Sequence, residues 1–436
     1  MKPTKLAVLG TAIALAAGLT GCAVSPQGGS GPGGTSTTLS NEPVTISMYW
    51  WGGDDRIQRT QKVIKMFQDK YPNIKVEPTY GDWTSYWEKL ATMVAGGNIP
   101  DVIQMDQLYL ASYAQRGVLA ELNQPQLDLT TMSDSVVDTG KWGDKVYGAS
   151  IASTGFGVLA NKDALDKLGI ALPDDSKWTW DDYATWTKSI SDASGGTIRG
   201  TGVMQNEFQL QLFARQLGDQ LFKGSELVIK PETLAKYFQA SLDWVESGSA
   251  PSASATSETI NATLDQTDLV TGKAATMFIP STMITTTTAA ANGANLVLLE
   301  LPHFADAPQG WEYMKPGMYW SQSSKSAHPA EAALLINYFI NDPEAAKVLG
   351  TERGIPSSSS ALDAITPSLE GPPKAAVDFV EGLHFGAAPA IIPTGASDLQ
   401  PIIQRYCLAV IAKQQTPSQA AEALIAEVGA SVRAAQ

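Results

Sequence analysis

From Val44 onward, apolar and polar positions alternate. Val44, Ile46, Met48 and Trp50 share one side of an extended segment and predict a first strand, which ends in Trp50-Trp51-Gly52-Gly53-Asp54. The period then lengthens, and Ile57, Val63, Ile64 and Phe67 define a helix stopped by Tyr71-Pro72. Ile74 and Val76 start a second strand. The stretch from Tyr80 to Tyr109 supplies the end of that strand, an aromatic-rich helix, a glycine stop at Gly96-Gly97, and a third strand ending in Asp106-Gln107. Within it, Ser85-x-x-Glu88 fits a capping box, and Tyr86, Leu90, Met93 and Val94 share one face, which assigns Tyr86 and its neighbour Trp87 to the core side. A further helix runs from about Leu108 to Arg116 and stops at Gly117. The order β-α-β-α-β implies a parallel sheet with right-handed crossovers.

The texture changes at Lys141. Gly143-Asp144 and Gly148 mark turns around short strands, and Gly155 and Gly157 permit a bend or a close backbone approach, as a hinge between lobes requires. Thr179 caps a helix with Asp182 at its third position, and Gly195-Gly196 precede an expected strand over Thr201 to Met204 and a helix from about Phe208 to Leu217. Pro231 to Glu246 reads as an amphipathic helix ended by Gly248. Thr271 to Phe278 is a turn feeding a strand, Leu296 to Leu301 is a buried strand, and helices from Pro329 onward close the chain.

Composition narrows the class. The 436 residues, 44% of them hydrophobic, suffice for two or three domains. Residues 1–21 carry Lys2 and Lys5, an apolar run from Leu6 to Leu19 and then Cys22, a secretory signal whose ending resembles the bacterial lipobox; an ordinary signal peptide with a chance cysteine is the alternative. Residues 22–41 are dominated by Gly, Ser, Thr and Pro and read as a flexible tether. Loss of the leader takes the formal charge from −14 to −16, which argues against nucleic acid as a partner. Cys407 is then the one thiol besides Cys22, placed in an apolar run and read as core. His303, His328 and His384 show no metal spacing, and H-E-x-x-H, G-x-S-x-G and the phosphate-binding G-x-x-x-x-G-K-[ST] are missing. No metal, cofactor or catalytic residue is expected, although the two carboxylates of a glycoside hydrolase need only spatial proximity.

Several segments in a shared order resemble the extracellular solute-binding proteins of ABC importers, a family that includes sugar binders. They are the lipobox, Phe67-Gln68-Asp69-Lys70-Tyr71-Pro72-Asn73-Ile74-Lys75-Val76, Ala95-Gly96-Gly97-Asn98-Ile99-Pro100-Asp101-Val102, Ala160-Asn161-Lys162-Asp163, Thr179-Trp180, Gly272-Lys273-Ala274-Ala275 and Gly354-Ile355-Pro356. The resemblance implies an α/β, two-lobed periplasmic-binding-protein-like fold of type II, with discontinuous domains joined by a hinge. One lobe is expected from 41–150 plus 303–350, and the other from 151–302 plus 351–436. The implied partners are a small solute, expected to be a carbohydrate, and the permease of an ABC importer, with the protein held outside the cytoplasmic membrane by a lipid on Cys22. A polyamine or glycerophosphodiester ligand, or a secreted carbohydrate-active enzyme, are the alternatives.

A sugar offers a C–H face to aromatic rings and a rim of hydroxyls to carboxylates, amides and Arg. Strand ends carry that mixture: Trp51 and Asp54 after the first strand, Trp83 after the second, and Asp106, Gln107 and Tyr109 after the third. Asp106 has a second reading as the cap of the next helix. Gln205 and Glu207 occupy the equivalent junction on the other side, Glu207 equally suited to its helix start. Where family members often carry Gly-x-Trp, this chain has Phe278-Ile279-Pro280-Ser281, which removes an expected ring; Trp311, Tyr319 and above all Trp320 are its expected replacements. Arg353 is a candidate clamp, with an exposed salt bridge as the alternative.

Overall fold

The computed structural model describes residues 37–435. The leader, Cys22 and most of the tether lie outside the described residues. Strand β1 (Val44–Trp51) leads into helix α1 (Asp54–Lys70), β2 (Ile74–Gly81), α2 (Trp83–Ala95), β3 (Val102–Met105) and α3 (Gln107–Gln115). Next come β4 (Ala149–Thr154), β5 (Phe156–Asn161), α4 (Trp180–Ala193), α5 (Glu207–Gln216) and α6 (Pro231–Ser247). β6 (Thr276–Pro280), β7 (Leu296–Leu299), β8 (Lys315–Gln322), α7 (Pro329–Asn341) and β9 (Ile355–Pro356) follow.

The strands form two principal sheets, β9-β4-β8-β3-β1-β2 and β6-β5-β7. β1 pairs in parallel with both β2 and β3, as the β-α-β-α-β pattern predicts. Beyond β3 the first sheet turns antiparallel, because β8 inserts between β3 and β4. Each principal sheet has its own apolar core. The first gathers Ile46, Trp50, Phe67, Leu90, Trp320 and Ile336; the second gathers Val158, Tyr183, Leu210, Phe238 and Ile403. Continuous burial of β3 follows from cover on both faces.

The chain passes from the first sheet to the second at Gly155, between β4 and β5, and returns between β7 and β8. Glycine is required near the first passage: a Cβ on Gly157 would lie 2.7 Å from both the Leu299 carbonyl oxygen and the Phe379 ring. Hydroxyls knit the passage together, Thr154 Oγ1 lying 3.2 Å from Ser281 Oγ, and Ser357 Oγ 2.8 Å from Ser150 Oγ and 2.7 Å from Ser153 Oγ. The division expected after residue 150 falls inside β4, and β9 lies beyond the division expected after residue 350. Both strands belong to the first sheet.

Local signals locate most helix ends. The Thr179–Asp182 capping box forms at the start of α4, Pro231 opens α6 and Gly248 ends it in the left-handed region, and α7 spans the expected residues. Three expectations are corrected. Helix α2 begins two residues before Ser85, and the Asp82 carboxylate accepts from Ser85 N at 3.0 Å, so Asp82 rather than Ser85 serves the helix start. Residues Thr201 to Met204 form no strand; only Arg199 makes an isolated bridge, to Ala274. Strand β8 has no counterpart among the predicted elements, because Lys315-Pro316-Gly317 obscures its start and burial on both faces suppresses alternation.

Candidate functional site

The carboxyl ends of β1, β2 and β3 project their following residues to one edge of the first sheet, where ligands bind in open α/β sheets. Five rings meet there. Trp51 is buried and receives the edge of Trp83 at 5.1 Å; Trp83 also meets Trp87 at 5.4 Å and Tyr109 at 6.4 Å. Tyr109 packs on Trp87 at 3.9 Å. Tyr86 is enclosed beneath them, donating from Oη to Gln104 O at 2.6 Å. The inner rings thereby hold Trp83, which is 41% exposed, in a fixed setting. Tyr80, 43% exposed, extends the aromatic edge by packing on Trp50 at 5.4 Å, a contribution hidden in the sequence because Tyr80 reads there only as the end of a strand.

Asp106 caps α3, its Oδ1 accepting from Leu108 N at 2.9 Å. Its capping role is therefore real, and it leaves Oδ2 without a hydrogen bond among the described residues. Burial raises its pKa, opposed by the Leu108 N–H and by the charge of Lys315. Gln107 opens α3 beside it, half-buried. Asp54 is exposed in the first turn of α1.

Opposite residues stand on the turn before α5. Gln205 N and Asn206 N both donate to Gln209 Oε1 at 2.8 Å, while Gln400 ties the turn from outside by accepting from Glu207 N at 2.7 Å and donating to Asn206 Oδ1 at 2.7 Å. Asn206 heads a capping box with Gln209, a local pattern, whereas Gln400 carried no signal in the sequence, since a long-range brace leaves none. Gln205 Oε1 is buried without a protein partner. Burial raises the pKa of Glu207, and Lys315 again opposes the rise. Beside this turn opens a cavity of about 440 Å³ lined by Gln205, Asn206, Phe208, Asp268, Met277 and Phe278. Phe278 is the inner wall of that cavity and packs behind it on Tyr183 at 5.4 Å.

Three expected ligand residues, Trp320, Tyr319 and Arg353, are placed elsewhere. Trp320 is completely buried in the first core, 5.4 Å from Phe339, because it lies on the central strand β8 opposite Gln104; it supplies no stacking face. Tyr319 is equally buried and donates to Thr139 O at 2.8 Å. Arg353 is not an exposed bridge but a buried one. It donates to Thr60 Oγ1 at 2.7 Å and Glu352 Oε2 at 3.3 Å, lies 5.8 Å from the Trp320 ring, and ties the segment before β9 to α1. Burial and the neighbouring Arg56 lower its pKa, and Glu352 opposes them. Trp311 is half-buried against the second core, its carbonyl accepting from Arg215 at 2.6 Å.

The remaining chemistry is sparse. No cluster of metal-ligating side chains occurs among the described residues, and no described helix is long and apolar enough to cross a membrane. Cys407 is buried and donates to Met204 O at 3.3 Å, with burial pushing its thiol up to about 12, as a core position demands.

Residues 62–377 match the family model described as bacterial extracellular solute-binding protein. The chain is similar to an uncharacterised lipoprotein in the oleD 5′ region of Streptomyces antibioticus, at 27% identity over 34% of this chain; it spans 34% of that relative's length. A solved structure, the extracellular solute-binding protein family 1 of Alicyclobacillus acidocaldarius, superposes with a TM-score of 0.76 at 27% identity, covering 91% of this chain and 100% of that one. A periplasmic oligogalacturonide-binding protein of Yersinia enterocolitica, solved with saturated digalacturonic acid, shares the fold with a TM-score of 0.73 at 23% identity, covering 90% and 99% of the two chains.

Proposed function

This chain belongs to the bacterial extracellular solute-binding proteins, and from that premise we propose that it captures a carbohydrate of oligosaccharide length between two lobes and hands it to the permease of an ABC importer. The observation that carries the carbohydrate assignment is the aromatic edge: Trp83 stands exposed on a bed of Trp51, Trp87 and Tyr109, with Asp106 at the next strand end. Such a ring covers the C–H face of a pyranose, and a carboxylate accepts from its hydroxyls. The sugar bound by the Yersinia neighbour supports the same ligand class.

In this scheme one lobe is built on the first sheet and the other on the second, so that the divisions expected at 150 and 350 move to follow β4 and β9, and Gly155 lies in the hinge. A ligand touching both walls binds the closed state better, and a differential affinity of about 5.5 kcal/mol suffices to move a population from 1:99 to 99:1. No bond is made or broken. Lipidation of Cys22, with roughly 0.8 kcal/mol for each buried CH₂, keeps the protein at the outer face of the cytoplasmic membrane.

The test is a thermal-shift panel of maltotriose, digalacturonate, spermidine and glycerophosphocholine on purified protein. Binding to the native state alone raises Tm. An upward shift with a saccharide supports the assignment; a shift with spermidine or glycerophosphocholine alone overturns it. Release of reducing ends from maltotriose would instead make the protein an enzyme.

A further inference from the structure

Strand β8 begins at Lys315, a residue that neither the strand-end pattern nor the aromatic cluster points to. Its place follows from three neighbours. Tyr319 pairs with Met105, so the earlier residues of β8 run past the carboxyl end of β3, where Asp106 follows. Lys315 itself pairs with Thr154, two residues before Phe156. The Phe156 ring stacks on Phe208 at 4.6 Å and 9°, and Phe208 adjoins Glu207. Lys315 is thus set at the passage between the sheets, with Asp106 on one side and Glu207 on the other.

The strand is irregular at this point. Register shifts occur between Pro316 and Met318 and between Met318 and Tyr319, and such bulges re-aim the side chains around them. Among the described residues Lys315 forms no contact ion pair, yet it is the one cation whose charge acts on Asp106 and on Glu207. Of the other groups near the cluster, Tyr109, Tyr319 and Tyr313 are phenols, and Arg215 lies against Tyr313, donating to the Trp311 and Gly310 carbonyls. An ammonium that attracts two carboxylates without touching either leaves its donors, and their acceptors, available to a third party.

We propose that Lys315 is a specificity-determining residue of the cleft, its ammonium standing between the Asp106 and Glu207 carboxylates so that vicinal hydroxyls of a ligand bind by bridging it to both walls. The assignment rests on the solute-capture function above and deepens it. Three fixed charges of alternating sign accept a neutral diol, which both donates and accepts. They disfavour a ligand carboxylate at that position, because the cluster carries one net negative charge. Charged partners make the stronger hydrogen bonds, and closing the lobes around them removes the water that competes.

The experiment has two arms, performed on the same protein and its Lys315→Met and Lys315→Arg variants. The first needs no ligand: carboxyl carbon NMR titration of Asp106 and Glu207. Both midpoints are expected to move upward in Lys315→Met and to return toward wild type in Lys315→Arg. If either carboxyl is unmoved, the bridge does not exist, whatever the protein binds. The second arm measures affinity by calorimetry for maltotriose, digalacturonate, spermidine and glycerophosphocholine. Lys315→Met is expected to weaken maltotriose about tenfold or more, with partial recovery in Lys315→Arg. Unchanged affinity for whichever compound the wild type binds overturns the role of Lys315. Binding of spermidine or glycerophosphocholine alone overturns the carbohydrate assignment, while the titration arm still decides the bridge.

Discussion

Trp83 and Asp106 divide the work of the proposed site between an apolar face and a polar acceptor, and each is held by neighbours that do not depend on it for folding. Trp83 is exposed and its bed of rings survives its removal, so Trp83→Ala is expected to weaken saccharide binding at least tenfold, about 1.4 kcal/mol, with little change in Tm. Calorimetry with maltotriose beside a melting curve checks both; unchanged affinity removes Trp83 from the site. Asp106 also caps α3, so Asp106→Asn, which keeps the acceptor oxygen, separates the two jobs: the helix is expected to hold while binding falls. Both residues were legible in the sequence because they follow predicted strands at junctions where helices start. Trp320 was not, since an aromatic residue looks the same in sequence whether its strand is central or its ring faces a cleft. Its partner Gln104 across the sheet decides the matter.

At the scale of elements, the passage from β4 to β5 is packed so closely that its glycines are structural necessities. Gly157 pairs with Ile279 on one side, and a side chain there would meet the Leu299 carbonyl and the Phe379 ring. Gly157→Ala is therefore expected to destabilise the protein by about 1–3 kcal/mol through overpacking, read as a lowered denaturation midpoint in urea. A midpoint equal to wild type would show that the passage has room to spare. The sequence marked this glycine pair as a bend or close approach, and marked the strands on either side. It gave no sign of β8, whose residues are buried on both faces and whose first three residues read as loop.

The whole molecule is joined a second time by the segment from β7 to β8, and a buried carboxyl sits in it. Glu312 is 8% exposed; its carbonyl accepts from Gly386 N at 2.9 Å and its Oε2 accepts from His384 N at 3.4 Å. Burial pushes its pKa up to about 7, with the His384 N–H opposing and Glu300 adding to the rise. The folded protein thus binds this proton more tightly than the unfolded chain does. Its stabilising contribution is complete below the ordinary value of 4.5 and is lost as pH rises through about 7. Glu312→Gln is expected to flatten that part of the stability profile and to exceed wild type in stability at pH 8, by an amount on the order of a few kcal/mol. Urea denaturation at pH 5 and pH 8 checks it; parallel profiles for the two proteins would exclude Glu312 as the source.

The apolar periods, the caps and the glycine stops of this chain settle its helices, the three parallel strands at its start and the aromatic edge beyond them. Those features arise from residues close together in the chain, whose spacing alone decides which face they share. Tertiary structure decided what depends on distant partners. Trp320 went to the core because β8 lies between β3 and β4, Arg353 was consumed by Thr60 and Glu352, and Lys315 came to the passage between the sheets, paired with Thr154. Charge and burial at such positions are set by which strands pair, and pairing across long stretches of chain leaves no periodic trace in either partner.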